Sequence, residues 1–363
     1  MNKSKIAILT FHRAVNYGAV LQAYALQRTL FLLGYDAEII DYRNEAIERN
    51  YYSPIGNSKK IKGIIKSLLF FEIQNGRNKA FCNFVSNNLV VSKNKYTNKN
   101  IFDTSYDYYI TGSDQVWNLK CTDFDSVYFL DFADTKKRIS YAASIGKYKD
   151  IINEYDKFFN ILKEYKWLSV REVAGKDFLE RNIDSDINID VDPTFLLDRK
   201  EWDSLSTEFD KNDYILIYSV NLNNDVLTIG RKIAKDKGKR LFILTLRNKP
   251  VMLRHNEKLL QKASPEDFLG LIKNAFCVVT NSFHGAAFSL IFNKDFYLVR
   301  NSNEDLDNSR LETLLEKFGL LDRMVEATTF EYKIPIDYIP VNERLQSEVQ
   351  LSLSHLIQSI ESK

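Results

Sequence analysis

The stretch Asn281-Ser282-Phe283-His284-Gly285 concentrates residue types that can do chemistry. Imidazole is the side chain whose ordinary pKa lies nearest neutral pH, so His284 can give or take a proton under physiological conditions. Asn281 and Ser282 add hydrogen-bonding groups beside it. On one side runs Phe276 to Thr280, short, apolar and partly β-branched. On the other runs Ala286 to Phe292, apolar and helical in character, and then a second apolar run, Phe296 to Val299. This pattern predicts strand, loop, helix and strand, with the helix beginning after Gly285. In open α/β sheets ligands bind outside the carboxyl ends of the strands, where loop meets helix. Free amides at a helix start favour an anion there. Asn281, Ser282, His284 and Gly285 therefore outline an anion pocket with a proton-transfer group in it. A helix cap or a surface histidine is the alternative reading of the same residues.

Three further polar loops follow expected strands: Asn16 to Gly18, Gly112 to Asn118, and Arg171-Glu172. The planar fork of Arg171 suits a phosphate or carboxylate, although Arg171 beside Glu172 also reads as a solvated pair of small worth. Asp114 and Gln115 serve either a ligand or a helix start, and Asn16 and Gly18 either a ligand or a cap. Trp117 reads as core more readily than as a sugar platform. Arg310 is either a second cation for the pocket or a surface residue of its helix. His12 and His255 are expected at the surface or at caps, and His355 in a structural place on the last helix. Buried polar side chains without partners are costly, so loops of this kind gathered at one cleft either pair with each other or meet a ligand.

The elements that must position these loops follow a simple rhythm. Lys5 to Leu9 reads as a buried strand, and Ala19, Ala23, Leu26, Leu30 and Leu33 form one face of a helix that Gly34 stops. Ala37 to Ile40 is the next strand. Such a βαβ opening implies a parallel sheet covered by helices, and it lacks the G-x-G-x-x-G turn of dinucleotide sites. Residues 51–105 have ragged helical faces near Lys60–Phe71 and Arg77–Asn87 and read as a helical insertion. Strands return at Tyr106–Ile110, Ile139–Ala143, Leu168–Val170 and Ile187–Val191. The second half repeats the theme with strands at Tyr214–Val220 and Arg240–Leu246. Ser264-Pro265-Glu266-Asp267 then carries a cap, a proline at the first helical position and acids in the first turn. The expected fold class is α/β, with two doubly wound Rossmann-like domains facing a cleft. They span residues 1–195, with the insertion, and 196–335; a final helix in 336–363 packs back on the body.

Composition narrows the function classes. A chain of 363 residues suits two domains of roughly 150 residues each. Its 50 Lys+Arg against 48 Asp+Glu argue against a nucleic-acid binder driven by bulk electrostatics. No apolar run is long enough to span a bilayer, so at most peripheral membrane contact is expected. The first residues lack the pattern of a secretory signal, and a cytoplasmic location is expected. Cys82, Cys121 and Cys277 form no metal or redox pair and are expected as reduced, buried thiols. No metal constellation is visible, so activity is expected to persist in a chelator.

Several of these motifs share one resemblance. Asn16-x-Gly18-x-x-Leu21-Gln22-x-Tyr24-Ala25-Leu26, Gly112-Ser113-Asp114-Gln115-Val116-Trp117, Tyr141-Ala142-Ala143-Ser144, Asp192-Pro193-Thr194 and Ser282-Phe283-His284-Gly285 together resemble the polysaccharide pyruvyl transferase family. The resemblance extends from the first strand to about Gly319. It implies a GT-B-like two-domain fold and transfer of a pyruvyl group from phosphoenolpyruvate to sugar hydroxyls as a ketal. It implies no cofactor, and a saccharide or lipid-linked oligosaccharide as acceptor. By resemblance His284 is the acid/base, and Arg171 the anion clamp. Asn281, Ser282, Gly285 and Arg310 complete the donor site, and Asn16, Gly18, Asp114, Gln115 and Trp117 meet the acceptor. Some relatives carry an arginine where this chain has Ser282, a cation that Arg310 or Arg13 would have to replace. Two other readings share the cleft: a GT-B glycosyltransferase using a sugar nucleotide, and a non-catalytic carbohydrate-binding relative.

Overall fold

The computed structural model describes residues 4–52, 61–101, 106–146, 153–246, 251–300 and 308–362. The first half runs β1 (Lys5–Leu9), α1 (Tyr17–Leu32), β2 (Asp36–Tyr42), α2 (Glu45–Tyr52), α3 (Ile61–Asn88), β3 (Val91–Tyr96), β4 (Tyr108–Thr111), α4 (Leu119–Thr122) and β5 (Arg138–Ser140). It continues with α5 (Asp156–Leu162), β6 (Leu168–Val170), α6 (Val173–Glu180), β7 (Ile187–Ile189) and α7 (Arg199–Leu205). The second half runs β8 (Tyr214–Ser219), α8 (Asn224–Asp236), β9 (Arg240–Thr245), β10 (Glu257–Leu260), α9 (Pro265–Asn274), β11 (Cys277–Thr280) and α10 (Phe283–Ile291). It closes with β12 (Phe296–Val299), α11 (Ser309–Phe318), β13 (Met324–Val325) and α12 (Tyr338–Glu361).

Each half is a parallel sheet wound in both directions from its first strand. The orders are β3-β2-β1-β4-β5 and β10-β9-β8-β11-β12-β13. The pair β6-β7 extends the first sheet through single bridges, Ile139 to Trp167 and Ala143 to Val170. Central strands such as β8 and β11 are buried along their whole length. Their apolar runs are what a sheet covered on both faces requires. The winding reverses between β1 and β4 in one sheet and between β8 and β11 in the other. Crevices at such reversals are where open α/β sheets bind ligands.

The helices start where the sequence supplies caps. Asn16 accepts from the Gly18 N–H and opens α1. Ser264 and Asp267 close a reciprocal capping box around Pro265 at the start of α9. The halves are joined through aromatic packing: the Tyr17 ring of α1 stacks on Phe268 of α9 with centroids 4.7 Å apart. Tyr17 Oη also donates to Ala263 O at 2.9 Å.

Several expectations need correction. Residues 51–105 are not solely a helical insertion. Within their described part, one helix, α3, replaces the two ragged ones, and β3 then pairs in parallel with β2 as the sheet's edge strand. Edge strands need only a thin apolar signal, and Val91-Ser-Lys-Asn-Lys-Tyr96 supplies little more. The helix after β11 starts at Phe283 rather than after Gly285. His12 is buried instead of surface-facing, with Nε2 3.4 Å from Asp41. Cys82 is exposed, not buried. Among the described residues no helix is long and apolar enough to cross a membrane.

Candidate active site

The site is organised on Asp192, in the turn after β7. Pro193 and the polar groups around it fix that carboxylate. Its Oδ1 accepts from the Thr194 N–H at 3.1 Å and from Thr194 Oγ1 at 2.9 Å. Its Oδ2 accepts from Ser113 Oγ at 3.2 Å and from Arg171 Nη1 at 2.5 Å. His284 Nε2 approaches the same Oδ2 at 3.4 Å without hydrogen-bond alignment. A carboxylate and a guanidinium from the first half thus meet an imidazole from the second. All three are nearly closed to solvent, with exposures of 1 % for Asp192, 4 % for Arg171 and 7 % for His284.

The elements explain the placement. Arg171 leaves the carboxyl end of β6, and its guanidinium lies over the Phe283 ring at 4.3 Å. His284 lies in the first turn of α10, behind β11 at the second sheet's reversal point. Gly18, at the start of α1, lets the His284 ring come up against the first half. A β-carbon there would fall 1.9 Å from His284 Nδ1. Gly285 serves a parallel purpose below: a β-carbon would fall 2.3 Å from Thr280 Oγ1, so glycine lets α10 sit down on β11.

The electrostatics are those of a buried, charge-compensated cluster. Burial opposes ionisation of Asp192, but His284, Arg171 and the Thr194 N–H together outweigh it and hold the carboxyl well below its usual range. Burial likewise opposes the charge of Arg171, and Asp192, Asp114 and Glu172 reverse the balance, so the guanidinium stays charged. For Glu172 burial wins: its pKa is raised despite Arg171, Arg310 and hydrogen bonds from Ser144 and the Ile145 N–H. Three nitrogens of the cluster remain buried with no hydrogen-bond partner: Arg171 Nε, Arg171 Nη2 and His284 Nε2. A guanidinium and an imidazole side by side with unfilled nitrogens are the kind of groups that bind the oxygens of a small anion.

The remaining sequence candidates divide. Asp114 joins the cluster, with Oδ1 3.9 Å from Arg171 Nη2. Its left-handed backbone, φ 68°, turns the loop after β4 back on itself. Gln115 accepts from Asn118 Nδ2 at 2.6 Å. Asn281 Oδ1 accepts from Ser219 Oγ at 2.8 Å and ties the ends of β8 and β11 together. Ser282 stands at the cap position of α10 but makes no side-chain cap, leaving the helix start open. Arg310, on the first turn of α11, acts on Glu172 and Cys121 across the cleft. Asn16 is a cap. Trp117 cannot meet an acceptor: it is fully buried, stacks on Phe129 and donates its Nε1–H to Tyr128 O. Arg13, named as a substitute cation, binds Glu48 at 3.1 Å instead. Asp192 and Ser113 escaped the site reading of the sequence. The signal for Asp192 was an acid directly after a strand, held by Pro-Thr.

Two parallel sheets whose reversal points share one cleft define the GT-B class of two-half α/β enzymes. Within that class, the chain belongs to the polysaccharide pyruvyl transferase family, whose model matches residues 16–303. Among solved structures it is similar to a putative UDP-N-acetylglucosamine 2-epimerase from Listeria monocytogenes. That likeness has a TM-score of 0.50 and 8% identity over 98% of this chain and 91% of that one, and it speaks to fold alone. A UDP-N-acetylglucosamine 2-epimerase from Rickettsia bellii gives 0.44 and 12% over 98% and 99%. The glycosyltransferase SnogD from Streptomyces nogalater gives 0.43 and 9% over 97% and 95%. No curated protein matches.

Proposed function

We propose that the protein transfers a pyruvyl group from phosphoenolpyruvate to two hydroxyls of a saccharide, forming a ketal. One observation carries the reading: Arg171 and His284, from opposite halves, converge on Asp192 and leave buried donors unfilled. Phosphoenolpyruvate brings two anionic groups close together, which suits Arg171 and the open start of α10. In the reaction the methylene carbon takes a proton and becomes the methyl group. The first sugar hydroxyl bonds to C2 of the resulting oxocarbenium-like centre and gives up its proton. The bond from C2 to the phosphate oxygen breaks, and phosphate leaves with the electron pair. The second hydroxyl then bonds to C2 and loses its proton to the departing phosphate. His284 moves the protons, a role worth about 10²–10⁴-fold, while Asp192 holds Arg171 in place and balances the imidazolium. No cofactor enters these steps.

The test is ligand-induced stabilisation. Phosphoenolpyruvate should raise the melting temperature of the wild-type protein, because a ligand selective for the native state stabilises it. His284→Ala should remain folded and release no phosphate from phosphoenolpyruvate in the presence of acceptor. Stabilisation by UDP- or GDP-sugars with none by phosphoenolpyruvate would replace this reading with sugar-nucleotide transfer.

A further inference from the structure

Among the described residues, away from the Asp192 cluster, one buried cation has no counter-charge. Arg77, on α3, is only 6 % exposed. Its Nε and Nη1 are shut off from solvent and find no hydrogen-bond partner. Among the described residues no carboxylate lies within ion-pair distance of it. Burial lowers its pKa, and the one group opposing that is the Tyr17 hydroxyl. Burying guanidinium nitrogens without partners is costly, because the charge loses water and gains nothing in return. A chain retains such a group where something outside it supplies the anion.

The surroundings tie Arg77 to the cleft. It shares a helix face with Phe81, one turn on, whose ring lies 5.0 Å from that of Tyr17. Tyr17 is the neighbour of Gly18, against which the His284 ring rests. On the other side, α3 runs over the loop that follows β10: Gly76 faces Lys262. Two more buried polar atoms on these segments lack partners, Asn78 Oδ1 and Gln261 Nε2. Arg77 therefore lies behind Tyr17 at the joint between the halves, offset from the Asp192 cluster. The donor is small, and Arg171, His284 and α10 already answer its charges. A second cation further along suits a longer ligand.

We propose that Arg77 binds an anionic group carried by the acceptor, a phosphoryl or a carboxylate, while the reacting hydroxyls lie at His284. This rests on the transfer reading above only for the word acceptor; the anion site stands on Arg77 itself. Calorimetric titrations on the full chain, saturated with phosphoenolpyruvate, would use pyrophosphate, glucuronate and glucose. Pyrophosphate represents a phosphoryl-bearing acceptor, glucuronate a carboxylate-bearing one, and glucose the neutral control. At least one of the two anions should bind ten times more tightly than glucose, and Arg77→Met should lose that preference while still binding phosphoenolpyruvate. Arg77→Lys should keep part of it, since charge remains but the planar fork does not. Without ligand, Arg77→Met should melt higher than wild type, because the variant removes an uncompensated charge. Equal affinity for the three probes in the wild type, an undiminished preference in Arg77→Met, or a lower melting temperature for that variant would each overturn the proposal. Failure of phosphoenolpyruvate itself to bind would remove the transfer reading; the three probes would then be titrated without it, and the same outcomes would decide the anion site.

Discussion

At the residue scale, Asp192 carries more of the site than either partner. It is the one carboxylate that touches Arg171, His284, Ser113 and Thr194 together. Asp192→Asn keeps the shape and removes the charge, leaving the Arg171 guanidinium buried with a weakened counter-ion. We expect a loss of stability of about 3–5 kcal/mol at neutral pH, the usual cost of breaking one side of a buried pair. The sign of the pH dependence follows from the depressed pKa of Asp192. Its stabilisation is present above the unfolded-state value, about 3.9, and disappears as pH falls through the lower folded value. Urea unfolding of wild type and variant should therefore show a wide gap at pH 7 that narrows below about pH 4. A gap that stays constant into acid would mean that Asp192 is not the charge Arg171 depends on. His284 and Arg171 were legible in the sequence because each stands where a strand meets a helix. Asp192 was not: before a proline it reads as a strand breaker, and its partners come from three distant segments. Trp117 failed as an acceptor contact for the opposite reason, since a motif position says nothing of which way a large aromatic ring turns.

At the element scale, the joint between α1 and α10 decides whether the two halves can share a site. Gly18 is where α1 yields room, and a β-carbon there would fall 1.9 Å from His284 Nδ1. The backbone would tolerate alanine in a helix, so the conflict is purely with the ring across the cleft. Gly18→Ala should cost about 1–3 kcal/mol of overpacking. It should also displace His284, so that phosphoenolpyruvate turnover in the proposed reaction falls by at least the roughly 10²-fold that a positioned proton carrier contributes. Thermal unfolding alongside the phosphate-release assay checks both; full activity in a folded variant would show that His284 has room to move. The central strands and α9 were readable in advance because buried parallel strands are apolar runs and a capping box is a local code. Three edge strands were not. Val91–Tyr96, Glu257–Leu260 and Met324–Val325 are short and in part charged, and each exists because a neighbouring strand offers free backbone groups. That is a tertiary cause that the local residues do not encode.

At the scale of the whole molecule, α12 straps the second half to the first. Near its start Arg344 lies against Gly319, at the end of α11. Further along, Ser352 Oγ accepts from the Val191 N–H at 3.0 Å, and Lys166 Nζ donates to Ser359 O at 2.6 Å. Between them His355 Nδ1 meets Asp190 Oδ1 at 2.8 Å. Asp190 lies two residues before Asp192, so the strap is anchored beside the turn that carries the site. The hydrogen bond to Asp190 raises the His355 pKa, against a smaller opposing effect of burial. A raised histidine stabilises fully below its unfolded value, about 6.5, and that contribution is lost as pH rises through the folded value. His355→Gln keeps a hydrogen-bonding side chain but cannot be charged. The wild type should therefore melt above the variant at pH 6, and the two curves should converge as pH is raised past 6.5 toward 9. His355 lies partly open to solvent, which screens the pair, so the difference should also shrink with added salt. Parallel melting curves across the whole range would show that α12 is held by its packing and neutral hydrogen bonds alone. Convergence would show that the tie between the halves tightens as the solution becomes more acidic.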